Sequence, residues 1–271
     1  MPRPPSRPWW RLLDLNRHTK RFLRTAQTQF PGLLDVKFNT MRLIRNTMRI
    51  PFENDFNALS LFSDAGDAVF LDVGANRGQS ADAILMNCKN ARIHAFEPNP
   101  LLVEKLRAMF GRDERVTIHA YGLGDETTEN TLVIPCYKKW VFDGLGSFER
   151  SEASDWLKPR MFFYKDRHLT LREWQCPIKR LDDLGLAPWF IKLDIQGYEY
   201  RALLGARQTI CQHRPLLLIE SPNAETIAFL TGLGYEYYAF KRGIFMPRVI
   251  GAPNTFFMTE ETVRQVRSYI R

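Results

Sequence analysis

A ten-residue run, Val69-Phe-Leu-Asp-Val-Gly-Ala-Asn-Arg-Gly78, constrains the fold more than any other part of the chain. Val69 to Val73 have strand character, the glycines then break the run, and a helix is expected from about Gln79. Gly74 and Gly78 permit backbone torsions and a close ligand approach that a Cβ would forbid. The helix start behind them offers unpaired N–H groups to a polar or anionic ligand group. Asp72, two residues before the first glycine, narrows the choice of ligand. A fixed carboxylate there repels a pyrophosphate but suits the ammonium end of a methionine moiety. The loop therefore suits S-adenosylmethionine (SAM) better than a dinucleotide.

After this loop, short apolar runs recur at residues 91–96, 116–121, 190–194, 216–220, 235–240 and 254–258. Helical patterns lie between several of them, at residues 101–110, 199–209 and 224–233. Such alternation predicts an α/β fold, a mainly parallel sheet with helices on both faces. Residues 127–175 break the rhythm with many aromatic and charged side chains, among them Trp140, Phe148, Trp156 and Tyr164. An insertion there, at the carboxyl ends of the strands, would suit an acceptor site or a lid. The expected division is a basic N-terminal helical extension over 1–60 and a catalytic domain over 61–271.

The chain has 271 residues, 45% of them apolar, enough for one large α/β domain and an appendage. Its net charge of +8 is concentrated: residues 1–49 hold eleven Lys/Arg against Asp14 and Asp35, hence +9, and the remainder is near −1. From Leu12 to Phe30 apolar or neutral residues recur at helical spacing, with Arg17, Lys20, Arg21 and Arg24 on the other side. Two readings fit that pattern. One is a basic amphipathic helix resting on an anionic membrane or glycolipid; the other is a helix packed on the domain with a solvated basic face. Charges interrupt the N-terminus too often for a secretory h-region, whereas its Arg-rich, acid-poor composition leaves an organelle transit peptide open. No apolar run approaches the ~18 residues of a spanning helix. Cys88, Cys136, Cys176 and Cys211 form no C-x-x-C pair, so reduced thiols, a cytoplasmic setting and no metal site are expected. The first reading of the N-terminal helix would make that setting cytoplasmic and peripheral at the membrane.

Three further groups carry chemistry. Glu97 closes the second strand, 19 residues after Gly78, where an acid can accept both ribose hydroxyl hydrogens of an adenosine. Gly122 and Leu123 could let the chain pass along an adenine edge, with Asp125 available to an amino group; a simple turn closed by Asp125 is the alternative. Asp194, at the end of the fourth strand, could orient or deprotonate an acceptor hydroxyl, or only hold the turn. His168 is the histidine best placed to act as an alternative base, while His94 and His119 fall within strand patterns and read as packed residues.

The ordered set Asp72-Val-Gly-Ala-Asn-x-Gly78, Phe96-Glu-Pro-Asn99, Gly122-Leu-Gly-Asp125, Arg180-Leu-Asp-Asp-Leu184, Ile191-Lys-Leu-Asp-Ile-Gln-Gly-Tyr-Glu199 and Leu217-Leu-Ile-Glu220 resembles the FkbM family of SAM-dependent methyltransferases. The resemblance covers roughly residues 68–258. It implies a Rossmann-like class I methyltransferase fold with a seven-stranded sheet, SAM as cofactor, and O-methylation of a saccharide, glycan or related polyhydroxylated metabolite. Carried over by position, Asp72, Gly74, Asn76 and Gly78 would form the methionine-side loop and Glu97 the ribose acid, with Asn99, Gly122, Leu123 and Asp125 also on the cofactor side. Asp194 and Glu220 would face the transfer centre. The family commonly has Glu where this chain has Gln196, which raises the alternative of a SAM-binding protein without turnover.

A nicotinamide-dependent oxidoreductase is opposed by Asp72 and by Asn76, which stands where the middle glycine of G-x-G-x-x-G should be. A nucleic-acid partner is not expected, because the positive charge lies in the N-terminal tail and no Asn/Asp-Pro-Pro-aromatic motif follows the fourth strand.

Overall fold

The strand predicted before the glycine loop forms as Val69–Val73 and lies inside an eight-stranded sheet. The computed structural model describes residues 33–62, 67–148, 150–155 and 157–271; the helix expected over 12–30 lies outside them. Helix α1 (Leu33–Met48) comes first, then β1 (Val69–Val73), α2 (Gln79–Asn87), β2 (Arg92–Phe96), α3 (Pro100–Phe110) and β3 (Val116–His119). A second unit follows: β4 (Gly122–Leu123), β5 (Thr128–Tyr137), β6 (Trp140–Val141), α4 (Arg150–Asp155) and β7 (Leu169–Lys179). The alternation then resumes with β8 (Pro188–Leu193), α5 (Glu199–Leu204), α6 (Arg207–His213), β9 (Leu216–Glu220), α7 (Ala224–Gly232), β10 (Glu236–Lys241), β11 (Ile244–Pro247), β12 (Asn254–Met258) and α8 (Glu260–Gln265).

The main sheet runs β11-β10-β12-β9-β8-β1-β2-β3. Strands β3, β2, β1, β8 and β9 pair in parallel, and β12 inserts antiparallel between β9 and β10. The main sheet has one strand more than the seven expected. The addition is β11, joined to β10 through Arg242-Gly243, both at positive φ as a two-residue hairpin turn requires. Strand alternation sends side chains to two cores, one on each face. Phe70 and Phe190 join Ala81, Ile84 and Leu106 of α2 and α3, while Leu71, Val73 and Ile191 join Ala202, Leu203 and Leu230 of α5 and α7. The helix expected over 199–209 is divided at Gly205, where a Cβ would come within 1.8 Å of the Gly124 carbonyl oxygen.

Residues 127–175 supply most of a second sheet rather than a loop alone. β5 and β7 pair antiparallel over ten residues, from Thr128↔Ile178 to Tyr137↔Leu169, in a four-stranded sheet ordered β4-β7-β5-β6. Leu132, Ile134, Trp174 and Cys176 share its apolar cluster. The segment between β6 and β7, with α4 in it, reaches the carboxyl ends of the main strands, where the clefts lie.

Candidate active site

β1 and β8 end side by side, and the loop after β1 passes directly over the end of β8. Gly74 (φ +83°) and Ala75 donate their N–H groups to the Phe96 carbonyl at 3.0 and 3.1 Å. A Cβ on Gly74 would lie 2.0 Å from the Asp194 carbonyl oxygen, and one on Gly78 (φ +73°) 2.4 Å from the Phe110 ring. The close approach that these glycines allow is therefore made by the protein's own backbone and α3. Asn76 (φ +48°) donates its N–H to Glu97 Oε2 at 2.8 Å, and Asn99 donates its N–H to Oε1 at 2.9 Å. Each Glu97 oxygen keeps a second lone-pair direction for a ligand hydroxyl. Burial pushes the Glu97 carboxyl up to about 7 against the pull of those two amides. Asn99 also caps α3 through Leu101 N–H and donates Nδ2–H to the Asp143 carbonyl at 2.8 Å.

Two clefts meet here. Gly74, Asn76, Glu97, Asn99 and Asp194 line a narrow one of about 60 Å³, covered by the strap 143–148. The second, about 490 Å³, has Asp155, Arg160, Glu220, Ser221 and Asn223 in its wall. Gly146, Ser147 and Gln196 line both. Small-molecule sites typically hold about 300–1,000 Å³, so the first cleft is narrower than a usual ligand site and the second falls within that range.

One face of the sheet carries a polar cluster at this end. Lys192 is 1% exposed and donates from Nζ to Asp194 Oδ2 at 2.9 Å. Asp72, opposite Lys192 in the β1–β8 register, is fully buried, and neither of its oxygens makes a hydrogen bond of ordinary geometry among the described residues. Burial pushes the Asp72 carboxyl above its usual range, and the Lys192 ammonium draws it back. At Asp194 burial also pushes upward, but Lys192 and a hydrogen bond with Glu220 win and hold the carboxyl at about 2. That same hydrogen bond, aided by burial, pushes Glu220 up to about 8. The two shifts run in opposite directions, so the pair favours the negative charge on Asp194, beside Lys192, and the proton on Glu220. Glu53 and Asp55 join from below: Asn254 Nδ2 donates to Glu53 Oε2 at 2.7 Å and Asp55 Oδ2 at 3.0 Å.

The remaining candidates lie elsewhere. Gly122 and Leu123 form β4 and pair with Ile178 and Lys179 of β7, and Asp125 lies 3.5 Å from Arg201 Nη1; none of the three lines either cleft. His168 sits on a 3₁₀ turn before β7, its ring edge-on to Tyr137 at 5.8 Å and away from both clefts. His94 and His119 stack between strands, 2.9 Å apart through Nδ1 and Nε2, and burial with the nearby His94 and Lys179 charges pushes His119 down to about 4. Among the described residues no group of three or more His, Cys, Asp or Glu is arranged to hold a metal ion, and no helix is long and apolar enough to cross a membrane.

Two features were not anticipated from sequence. One is Lys192, which reads as an interruption of an apolar strand. The other is an ion network in which Arg77, inside the glycine loop, pairs with Asp143 at 2.7 Å and Asp35 at 2.6 Å, and Lys105 pairs with the same two acids. It ties α1, the loop, α3 and the strap together. The paired residues stand 38 to 70 positions apart in the chain, so no local motif reveals them.

A sequence profile described as the methyltransferase FkbM domain matches residues 72–237. The AMB antimetabolite synthetase AmbE of Pseudomonas aeruginosa is 29% identical over 163 residues, 51% of this chain and 8% of that protein. The chain thus spans less than a tenth of the length of that curated relative. Among solved structures, a methyltransferase FkbM from Methylobacillus flagellatus is 19% identical with a TM-score of 0.44, over 73% of this chain and 47% of that one. A SAM-dependent O-methyltransferase from Thermotoga maritima is 11% identical with a TM-score of 0.38, over 77% and 66%.

Proposed function

Because this chain belongs to the FkbM methyltransferase family and is thereby a SAM-dependent methyltransferase, we propose that it methylates a hydroxyl of a saccharide, glycan chain or related polyhydroxylated metabolite. The observation that supports this most is the meeting of the two clefts at Asp194 and Glu220, with Lys192 Nζ 2.9 Å from Asp194 Oδ2. A polar wall with Asp155, Arg160, Ser221 and Asn223 suits an acceptor bearing several hydroxyls.

The residues of the narrow cleft fit the cofactor's adenosine: Glu97 is fixed by two amides and keeps lone pairs directed outward. Glu97 and Asn76 would hold the ribose and the loop beside it, with the Asp72 carboxyl lying beneath. SAM supplies a methyl group already activated on a sulfonium. Asp194 accepts a hydrogen bond from the acceptor hydroxyl and so aims an oxygen lone pair toward the narrow cleft. Transfer would break the carbon–sulfur bond as the oxygen–carbon bond forms, leaving the neutral thioether, and Asp194 would take the strongly acidic hydroxyl proton, so a carboxylate of low pKa suffices. Lys192 keeps the charge on Asp194, and Glu220 donates to it from the other side.

Glu220→Gln tests this division of roles, since the amide can donate to Asp194 as the protonated acid does. Turnover of labelled SAM with a saccharide acceptor should stay within about threefold of the wild type at pH 7, whereas loss of a true general base costs about a hundredfold or more. Stability gives a second readout. An acid whose carboxyl is raised from 4.5 to about 8 on folding contributes stability that is full below pH 4.5 and is lost as pH rises through 8. The melting temperature of the wild type should therefore decline more between pH 5 and pH 8 than that of Glu220→Gln. Equal declines together with a large fall in turnover would place the proton elsewhere.

A further inference from the structure

We propose that the outward face of α1 docks on a bilayer surface rich in anionic phospholipid. The helix is amphipathic in the reverse of the usual sense. Its charged side faces the domain: Asp35 pairs with Arg77 and Lys105, Arg42 binds Asp82 through two hydrogen bonds of 2.5 and 2.8 Å, and Arg49 reaches the Met86 carbonyl at 2.6 Å. The Arg77 guanidinium also lies over the Phe38 ring, 4.5 Å from its centroid. These contacts fix which side of α1 is turned outward.

The outward side carries Val36, Leu43, Ile44 and Met48, which are 61, 68, 42 and 45% exposed. At 100° per residue they span about 140° of the helix surface, with Lys37, Thr40 and Thr47 among them. Four large apolar side chains in one stripe are not the scatter expected of a solvated helix face. Phospholipid is the occupant that electrostatics favours. Of the basic residues in 33–49, Arg42 and Arg49 are bound on the domain side and Lys37 lies in the outward stripe, whereas residues 1–32 hold seven Lys/Arg against Asp14, a net +6. A second copy of the chain would bring its own basic residues 1–32 beside those of the first, positive charge against positive charge. An anionic bilayer offers opposite charge to the basic side chains and hydrocarbon to the stripe.

The test uses the full chain and sucrose-loaded vesicles, phosphatidylcholine with phosphatidylglycerol against phosphatidylcholine alone. Cosedimentation should be about tenfold greater with the anionic vesicles and should weaken with added salt. The double variant Leu43→Asp, Ile44→Asp should lose most of that binding, again by about tenfold. Both side chains are exposed, so its melting temperature and SAM-induced thermal shift should match the wild type. Three results would overturn the proposal. They are no preference for anionic vesicles, undiminished binding by the variant, and a concentration-dependent dimer that the variant abolishes, which would assign the stripe to a second copy of the chain.

Discussion

Asp194→Asn is expected to lower turnover at least tenfold, a barrier rise of about 1.4 kcal/mol or more, with SAM affinity unchanged. The amide fills the same space at the end of β8 but neither takes up the hydroxyl proton nor carries the charge that Lys192 holds in place. General acid–base groups contribute about 10²–10⁴ in rate, so tenfold is the lower bound. The affinity should persist because the narrow cleft's other side chains, Asn76, Glu97 and Asn99, are untouched. Initial rates with labelled SAM at saturating acceptor, beside a SAM titration of the same variant, separate the two effects. Full turnover in Asp194→Asn would remove Asp194 from proton transfer. His168 would not take its place, because it lies outside both clefts.

Lys192→Met should give the largest loss of stability. Its ammonium is buried against Asp194 and faces Asp72, with Glu53 within its field. Removing one partner of a buried ion pair typically costs about 3–5 kcal/mol, because the other charge stays desolvated and unpaired. For a domain of this size that corresponds to a melting temperature lower by roughly 6–20 °C. Without Lys192 the Asp194 carboxyl loses the main influence that keeps it low, so it takes up a proton more readily in the folded state. Its stabilising contribution, complete above pH 3.8 in the wild type and lost as pH falls through about 2, is then absent, so the deficit should be nearly equal at pH 5 and pH 8. Thermal denaturation at both pH values checks this. An unchanged melting temperature would mean that Lys192 does not compensate the cluster.

The sheet was legible wherever apolar runs alternate with helical spacing, because period alone fixes those elements; all six runs after the loop correspond to strands of the main sheet. The β5–β7 sheet was hidden because Arg172 interrupts the alternation of Trp174, Cys176 and Ile178, and Pro135 lies within β5. Strand β11 was hidden because Arg242-Gly243 is a weak hairpin signal. At the site, residues at strand ends or in the glycine loop could be located from spacing, and Gly74, Asn76, Glu97, Asn99 and Asp194 do line one cleft. Gly122, Leu123 and Asp125 occupy a turn-like position in sequence, yet the second sheet takes the first two as a strand and Arg201 takes the third. Lys192 and the Arg77–Asp143 pair depend on which distant segments meet, and no local pattern records that.

Calorimetric titration of the purified chain and of Glu97→Gln with SAM, S-adenosylhomocysteine, NAD and NADP tests most directly whether the cleft between Glu97 and Asp194 is a SAM site. Expected are micromolar binding of the first two ligands alone by the wild type, near −8 kcal/mol, and about tenfold or more weaker binding by the variant. Binding of a nicotinamide dinucleotide, or equal SAM affinity in Glu97→Gln, would contradict it.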